Sequence, residues 1–180
     1  MRKGFFIFVS LLISTLLMFV SISYAVDGSN EKSVTVYDPV NMTMEERWEW
    51  VQENVEPVFV GKGQYTDRSG TLHSGLDTSY VGPNDMYNIA KLETKVWFTV
   101  SDSFDRVESW GTDVFNAVPL LNSLSVTSTD YDSTRISNDN VRMVYEAWYA
   151  NLTGAYYIEH WYKVYGYGVY ALYVNKGGPL

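Results

Sequence analysis

Two histidines and no cysteine limit the chemistry open to this 180-residue chain. His73 lies in Gly70-Thr71-Leu72-His73-Ser74-Gly75, a loop setting where an imidazole can move protons. His160 falls on the apolar side of a predicted strand and is expected to be a hydrogen-bonded core residue. Thiol chemistry is excluded. There is no Gly-x-Ser-x-Gly elbow, no zinc-ligand spacing and no phosphate-cradling glycine loop. A Ser-His-Asp triad would have to be assembled from scattered residues around His73. Paired carboxylates acting on a sugar need one raised pKa, and Glu108, Glu146 and Glu159 are the candidates. Asp102-Ser103-Phe104-Asp105 and Asp130-Tyr131-Asp132, with Asp139, offer calcium-type oxygens without EF-hand spacing, and read as solvated acidic loops. No catalytic residue, metal or cofactor is expected, and a small extracellular hydrolase using His73 is only an alternative.

Aromatic residues are the more informative feature. All six tryptophans and fourteen of the fifteen tyrosines lie after residue 25, and nine tyrosines and two tryptophans fall between Val141 and Asn175. Side chains alternate across a strand. The run from Lys91 therefore splits into Leu92, Val96, Phe98, Val100 on one face and Lys91, Glu93, Lys95, Trp97, Thr99 on the other. From Val141 the split is Val141, Met143, Tyr145, Ala147, Tyr149 against Arg142, Val144, Glu146, Trp148. From Ala155 it is Tyr156, Ile158, His160, Tyr162, Val164 against Tyr157, Glu159, Trp161, Lys163, Tyr165. Each run has an apolar face and a charged face carrying one tryptophan. The candidate ligand-binding set is Trp97, Trp148, Trp161, Tyr157 and Tyr165, an aromatic platform for sugar rings or a protein partner. The competing expectation is that these rings pack under the helix, a loop or a second sheet layer.

The elements that position these residues read as follows. Thr43 and Glu46 form a capping box, and Met44, Trp48, Val51 and Val55 share one face of a helix that Pro57 ends. Strands are predicted at Ser33–Tyr37, 58–66, 91–101, 120–129, 141–150, 155–165 and 169–175. Residues 67–88 read as a long loop with a short strand near Leu72–Leu76. Residues 104–121 are ambiguous, with Phe104, Val107, Val114, Phe115 and Val118 suggesting short helical turns, and 131–140 reads as a polar loop. A tight turn at Leu152-Thr153 places Glu146 opposite Glu159 and Arg142 opposite Lys163. A register shifted by four residues avoids those like-charge pairs and is preferred on charge grounds. The predicted fold is α+β: a twisted antiparallel β-sheet of about five to seven strands with one N-terminal amphipathic helix. A β-sandwich is the alternative. A long aromatic edge strand would offer a template for a second copy.

The N-terminus reads as a signal peptide over residues 1–25. Arg2 and Lys3 precede an apolar run to Val20, and Ser23 and Ala25 give the small-x-small cleavage pattern. Residues 26–180 then form a single secreted domain with no stable membrane span. Without Arg2 and Lys3 it holds 11 basic and 21 acidic residues, a balance that argues against nucleic acid as a partner. Export without cysteine suggests a bacterial, cell-wall-associated or extracellular protein. Tyr165-Gly166-Tyr167-Gly168-Val169 is similar to the Tyr-Gly-Asn-Gly-Val box of pediocin-like bacteriocins, with Tyr for Asn and without the flanking cysteines. A turn between strands accounts for both glycines, and no family is assigned from it. The expected function is non-enzymatic binding of a glycan or protein partner. A secreted antimicrobial or membrane-active protein is a further alternative.

Overall fold

The structure, a computed structural model, describes residues 36–65, 67–83 and 87–179. The signal peptide predicted over residues 1–25 and most of the strand predicted at Ser33–Tyr37 lie outside them. From Tyr37 onward the chain forms one compact unit.

Among its described residues are one short helix and ten strands. Helix α1 (Met44–Asn54) begins at the predicted capping box: Thr43 Oγ1 accepts from the Glu46 amide, and the Glu46 carboxylate accepts from the Thr43 amide. The strands are β1 (Phe59–Lys62), β2 (Gln64–Tyr65), β3 (Leu72–His73), β4 (Asp77–Val81), β5 (Ala90–Val100), β6 (Val107–Pro119), β7 (Ser125–Ser137), β8 (Asn140–Asn151), β9 (Gly154–Tyr165) and β10 (Val169–Gly177). All pairings are antiparallel. The first sheet has the order β1-β10-β9-β8-β7, and the second has β2-β3-β5-β4 with β6 on the other edge of β5.

The single sheet expected from sequence is thus two sheets in a sandwich-like arrangement. The apolar faces of β8 and β9 meet that of β5 in a shared core. Val96 and Phe98 from the second sheet pack with Met143, Tyr145, Tyr162 and Val164 from the first. Further along, Leu92 packs with Ala147, Tyr149 and Ile158. Helix α1 lies on the opposite face of the first sheet, where Trp48 and Val51 bury Val144 and Trp161. That is why β8 and β9 are buried on both faces through most of their length.

Three stretches differ from the prediction. The loop read at 67–88 also contains β4 (Asp77–Val81). Residues 107–119 form a strand, not helical turns. Bulges at Glu108 and Asp113 each insert one residue, so the inward-facing set becomes Val107, Trp110, Thr112, Phe115 and Ala117. Spacings of three and two imitate a helical period. Residues 131–137, read as a loop, continue β7 to a two-residue turn at 138 and 139. Their Ser/Thr/Asp composition is that of an edge strand, not of a loop.

The β8–β9 hairpin adopts the tight-turn register. Glu146 faces Glu159, and Arg142 faces Lys163. The charge-based preference for a four-residue shift is overturned because the compensating charges come from outside the hairpin.

Candidate functional site

The two like-charged carboxylates of the hairpin meet a cation supplied by the helix. Arg47 follows the apolar face of α1 down onto the sheet and is buried, as are Glu146 and Glu159. One guanidinium nitrogen donates to both carboxylates: to Glu146 Oε2, and to Glu159 Oε1 at 2.6 Å. The Arg47 Nε donates to the Tyr37 hydroxyl at 3.1 Å, which donates to Glu159 Oε2 at 2.5 Å. Trp161 Nε1 at 2.8 Å and Asn175 Nδ2 at 3.0 Å donate to the same oxygen. Trp148 Nε1 donates to Glu146 Oε1. Burial pulls the Arg47 pKa down, but Glu159 and Glu146 more than reverse it, and the guanidinium stays charged. Burial and the Glu159 charge raise the Tyr37 phenol far out of its usual range, and push Tyr157 up to about 12.

This arrangement is a latch between helix and sheet. Glu159 is fully buried with four donors on it, so it is not available to a substrate. Glu108, the third carboxylate candidate, is elsewhere, paired with Arg106 at 3.0 Å. The latch has a sequence signal that the face analysis passed over. Glu146-x-Trp148 and Glu159-x-Trp161 repeat on adjacent strands, and each indole donates to the glutamate two residues before it.

The five predicted platform residues do not share a surface. Trp161 is completely buried, stacked on Trp48 with ring centroids 5.6 Å apart. Tyr157 is 6% exposed and touches Trp148 at 5.3 Å. Trp148 is half-buried. Tyr165 lies at the end of β9, against Tyr167 at 5.2 Å and under the Lys163 ammonium. Trp97 is on the outer face of the other sheet. An open platform containing Trp161 and Tyr157 is therefore corrected: Trp161 covers the apolar side of α1, and Tyr157 packs against Tyr37 and Trp148.

The outer face of the second sheet carries Lys91, Glu93, Lys95, Trp97 and Thr99 of β5, all partly exposed. Trp97 is flanked by His73 of β3 and Gly111 of β6. Its ring lies over Gly111, where a Cβ would come within 2.6 Å of the indole. Glycine at 111 is thus what lets the ring lie down on the sheet. The bulge at Asp113 turns its carboxylate back toward β3. There it meets His73 Nδ1 at 2.5 Å and Lys95 Nζ at 3.4 Å. Asp67 holds the other His73 nitrogen at 3.2 Å and also accepts from Ser69 at 2.6 Å. Glu93 accepts from Lys91 and from Asn116, at 2.8 and 2.9 Å. Trp97 therefore sits among several ordered donors and acceptors.

His73 is not the free loop base that its sequence setting suggested, because both ring nitrogens are engaged by carboxylates. Burial lowers its pKa, but Asp113 and then Asp67 outweigh this and raise it. Ser69 first, then His73, hold Asp67 down to about 2. The sign of the linkage follows. The imidazolium stabilises the fold fully below its unfolded value of roughly 6.5, and the contribution is lost as pH rises through the raised folded value. The cluster is near the surface and screened, so about 0.5 kcal/mol is expected. Denaturant melts between pH 6 and 9 should show this alkaline loss at low salt, and His73→Gln should abolish it; a wild-type slope in the variant would refute the pairing.

His160, as expected, is in the core and hydrogen-bonded. The chain runs from His160 Nδ1 to Thr94 Oγ1 (2.6 Å), to the Tyr162 hydroxyl (2.8 Å), and to Asp77 Oδ2 (2.5 Å). Tyr162 donates to Asp77, so the single Thr94 proton goes to Tyr162, and the Thr94 oxygen accepts from His160 Nδ1–H. Its Nε2 is then an unprotonated atom without a partner. Burial lowers the His160 pKa to about 3.

Of the calcium-type candidates, Asp105 accepts from Ser101 and Ser103, Asp132 from Arg142, and Asp139 from Ser137. Among the described residues no group of three or more His, Cys, Asp or Glu is placed to hold a metal ion. No helix among them is long and apolar enough to cross a membrane.

By sequence, no family model matches the chain and no curated protein matches it. Among solved structures, a hypothetical protein from Listeria monocytogenes is similar at 13% identity and a TM-score of 0.39, over 67% of this chain and 81% of that one.

Proposed function

We propose that this chain is a secreted or cell-wall-associated, non-enzymatic binding protein that takes a glycan on the outer face of its second sheet. The observation that carries this reading is Trp97 lying over Gly111 on a sheet face where Lys91, Glu93, Lys95, Thr99 and Asn116 share the surface with Val114 and Val118. An indole held this way offers a flat apolar area to the CH face of a sugar. Lys95 and Asp113 on one side, and Glu93 and Asn116 further along, supply hydrogen bonds for hydroxyls. Export rests on Arg2-Lys3, the apolar run and the Ser23-x-Ala25 pattern.

The test is intrinsic tryptophan fluorescence of the purified protein, titrated with soluble cell-wall fragments and an oligosaccharide panel. One glycan class should change the emission saturably. Trp97→Ala should weaken that binding about tenfold to a hundredfold, as expected for a central aromatic anchor, with the thermal midpoint little changed. Equal binding by wild type and Trp97→Ala would remove this face as the site. Leakage of dye-loaded vesicles without any glycan response would favour the membrane-active alternative.

A further inference from the structure

Strand β7 is a long edge. It has 13 residues, is last in the order of the first sheet, and is largely exposed. Its sequence, Ser-Val-Thr-Ser-Thr-Asp-Tyr-Asp-Ser-Thr-Arg-Ile-Ser, reads nearly the same in both directions about Tyr131. Ser125 matches Ser137, Val126 matches Ile136, Ser128 matches Thr134, Thr129 matches Ser133, and Asp130 matches Asp132; only Thr127 and Arg135 are unlike. The centre of the palindrome is also the straight part of the strand. The ladder to β8 is regular from Ser128 to Arg135 and is interrupted by a bulge on each side, at Thr127 and at Ile136.

We infer that β7 is a self-complementary edge through which two copies of this chain pair about a two-fold axis at Tyr131, joining two five-stranded sheets into one. An isologous contact requires that residue i meet j while j meets i. Any strand paired antiparallel with its own copy meets that condition; what the near-palindrome adds is that like side chains meet at all but the Thr127 and Arg135 pairs. Ser128 faces Thr134 of the second copy, Thr129 faces Ser133, and the two Tyr131 residues face each other; hydroxyl and aromatic pairs of this kind favour sheet pairing. The backbone groups are oriented for it. The Tyr131 amide bonds to the Asp130 carboxylate at 2.8 Å instead of to a strand, so Tyr131 directs its N–H to the open edge. Hydrogen bonding alternates along a strand, so Thr129 and Ser133 do the same. Tyr131 is 39% exposed and continues an aromatic row, its ring 4.9 Å from that of Tyr145. The other edge strand of this sheet, β1, has only four residues and no such symmetry.

The same symmetry places Asp130 against Asp132 of the second copy, twice. Directly opposed like charges weaken a sheet pair, and the Asp130 carboxylate must leave the Tyr131 amide first. Arg142, 2.9 Å from Asp132, offsets part of the repulsion. The dimer is therefore weak, and two side chains hold it weak. Acidic residues guarding an exposed edge limit uncontrolled association.

Sedimentation equilibrium of the purified protein across micromolar to millimolar concentration tests this. A monomer–dimer equilibrium is expected. Asp130→Thr with Asp132→Asn, which removes both charges and the amide cap, should tighten it about tenfold. Amide hydrogen exchange at Thr129, Tyr131 and Ser133 should slow as the dimer forms. A strictly monomeric double variant at the highest concentration would overturn the inference. So would a dimer in which those three amides exchange at the monomer rate.

Discussion

Replacing Arg47 by Met should destabilise the fold by about 3–5 kcal/mol, the cost of leaving buried charge unpaired. Glu146 and Glu159 face each other across the β8–β9 ladder and share one guanidinium nitrogen. Without it, two carboxylates remain against a helix and two tryptophans. Tyr37 and the indole N–H groups still donate, but none carries a full positive charge. The loss should appear in urea melts at pH 7, with red-shifted tryptophan emission as Trp48 and Trp161 lose their stack. The control is the triple variant Arg47→Met with Glu146→Gln and Glu159→Gln. It removes cation and anions together, and should return to within about 1–2 kcal/mol of wild type, because a buried ion pair rarely outperforms its neutral replacement. A cost below about 1 kcal/mol for Arg47→Met alone would mean that water reaches the carboxylates and that the latch does not hold the helix.

Acidification should unfold the protein through His160. The imidazole lies between the two sheets, neutral, donating from Nδ1 to Thr94 and leaving Nε2 unpaired. A proton on Nε2 would place a charge there without a counter-ion. Its folded pKa, about 3, lies below the unfolded value of roughly 6.5. The neutral ring therefore contributes stability above pH 6.5, and that contribution is lost as pH falls toward the folded value. The unfolded chain binds one more proton over this window, so stability falls by about 1.4 kcal/mol per pH unit. Between pH 6.5 and 4.5 the expected loss is about 2–3 kcal/mol, read from guanidinium melts at constant ionic strength. His160→Phe paired with Thr94→Val keeps the site apolar and filled, and should remove this part of the slope. An acid limb as steep as that of the wild type in the paired variant would assign it to other groups.

What was legible before the structure was local. The capping box at Thr43 and Glu46, the apolar stripe of α1, and the alternating faces of β5, β8 and β9 depend on neighbours in sequence, and each appears as read. The tight turn at Leu152-Thr153 was also legible, yet its register was disfavoured on charge. That judgement lacked Arg47, 99 residues before Glu146, because a cross-strand repulsion is visible in a hairpin while its remedy comes from another element. The strand at 107–119 was hidden for a related reason: two bulges, meaningful only against β5, broke its alternation. Residues 131–137 were hidden because an edge strand with one face in water lacks the apolar alternation that marks a buried one.

The candidate site divides along the same line. Composition and alternation determined that the chain is β-rich, aromatic-rich and free of cysteine, and that each charged strand face carries a tryptophan. Which of those tryptophans meets water was decided by the placement of one eleven-residue helix. By covering the outer face of the first sheet it buried Trp161 against Trp48 and brought Arg47 to the two glutamates that accept from the Trp148 and Trp161 indoles. Among the described residues no helix covers the outer face of the second sheet, and Trp97 lies there over Gly111. Residue types set what each face can do. Which face meets solvent depends on how layers stack, and layers stack through contacts between residues far apart in the chain.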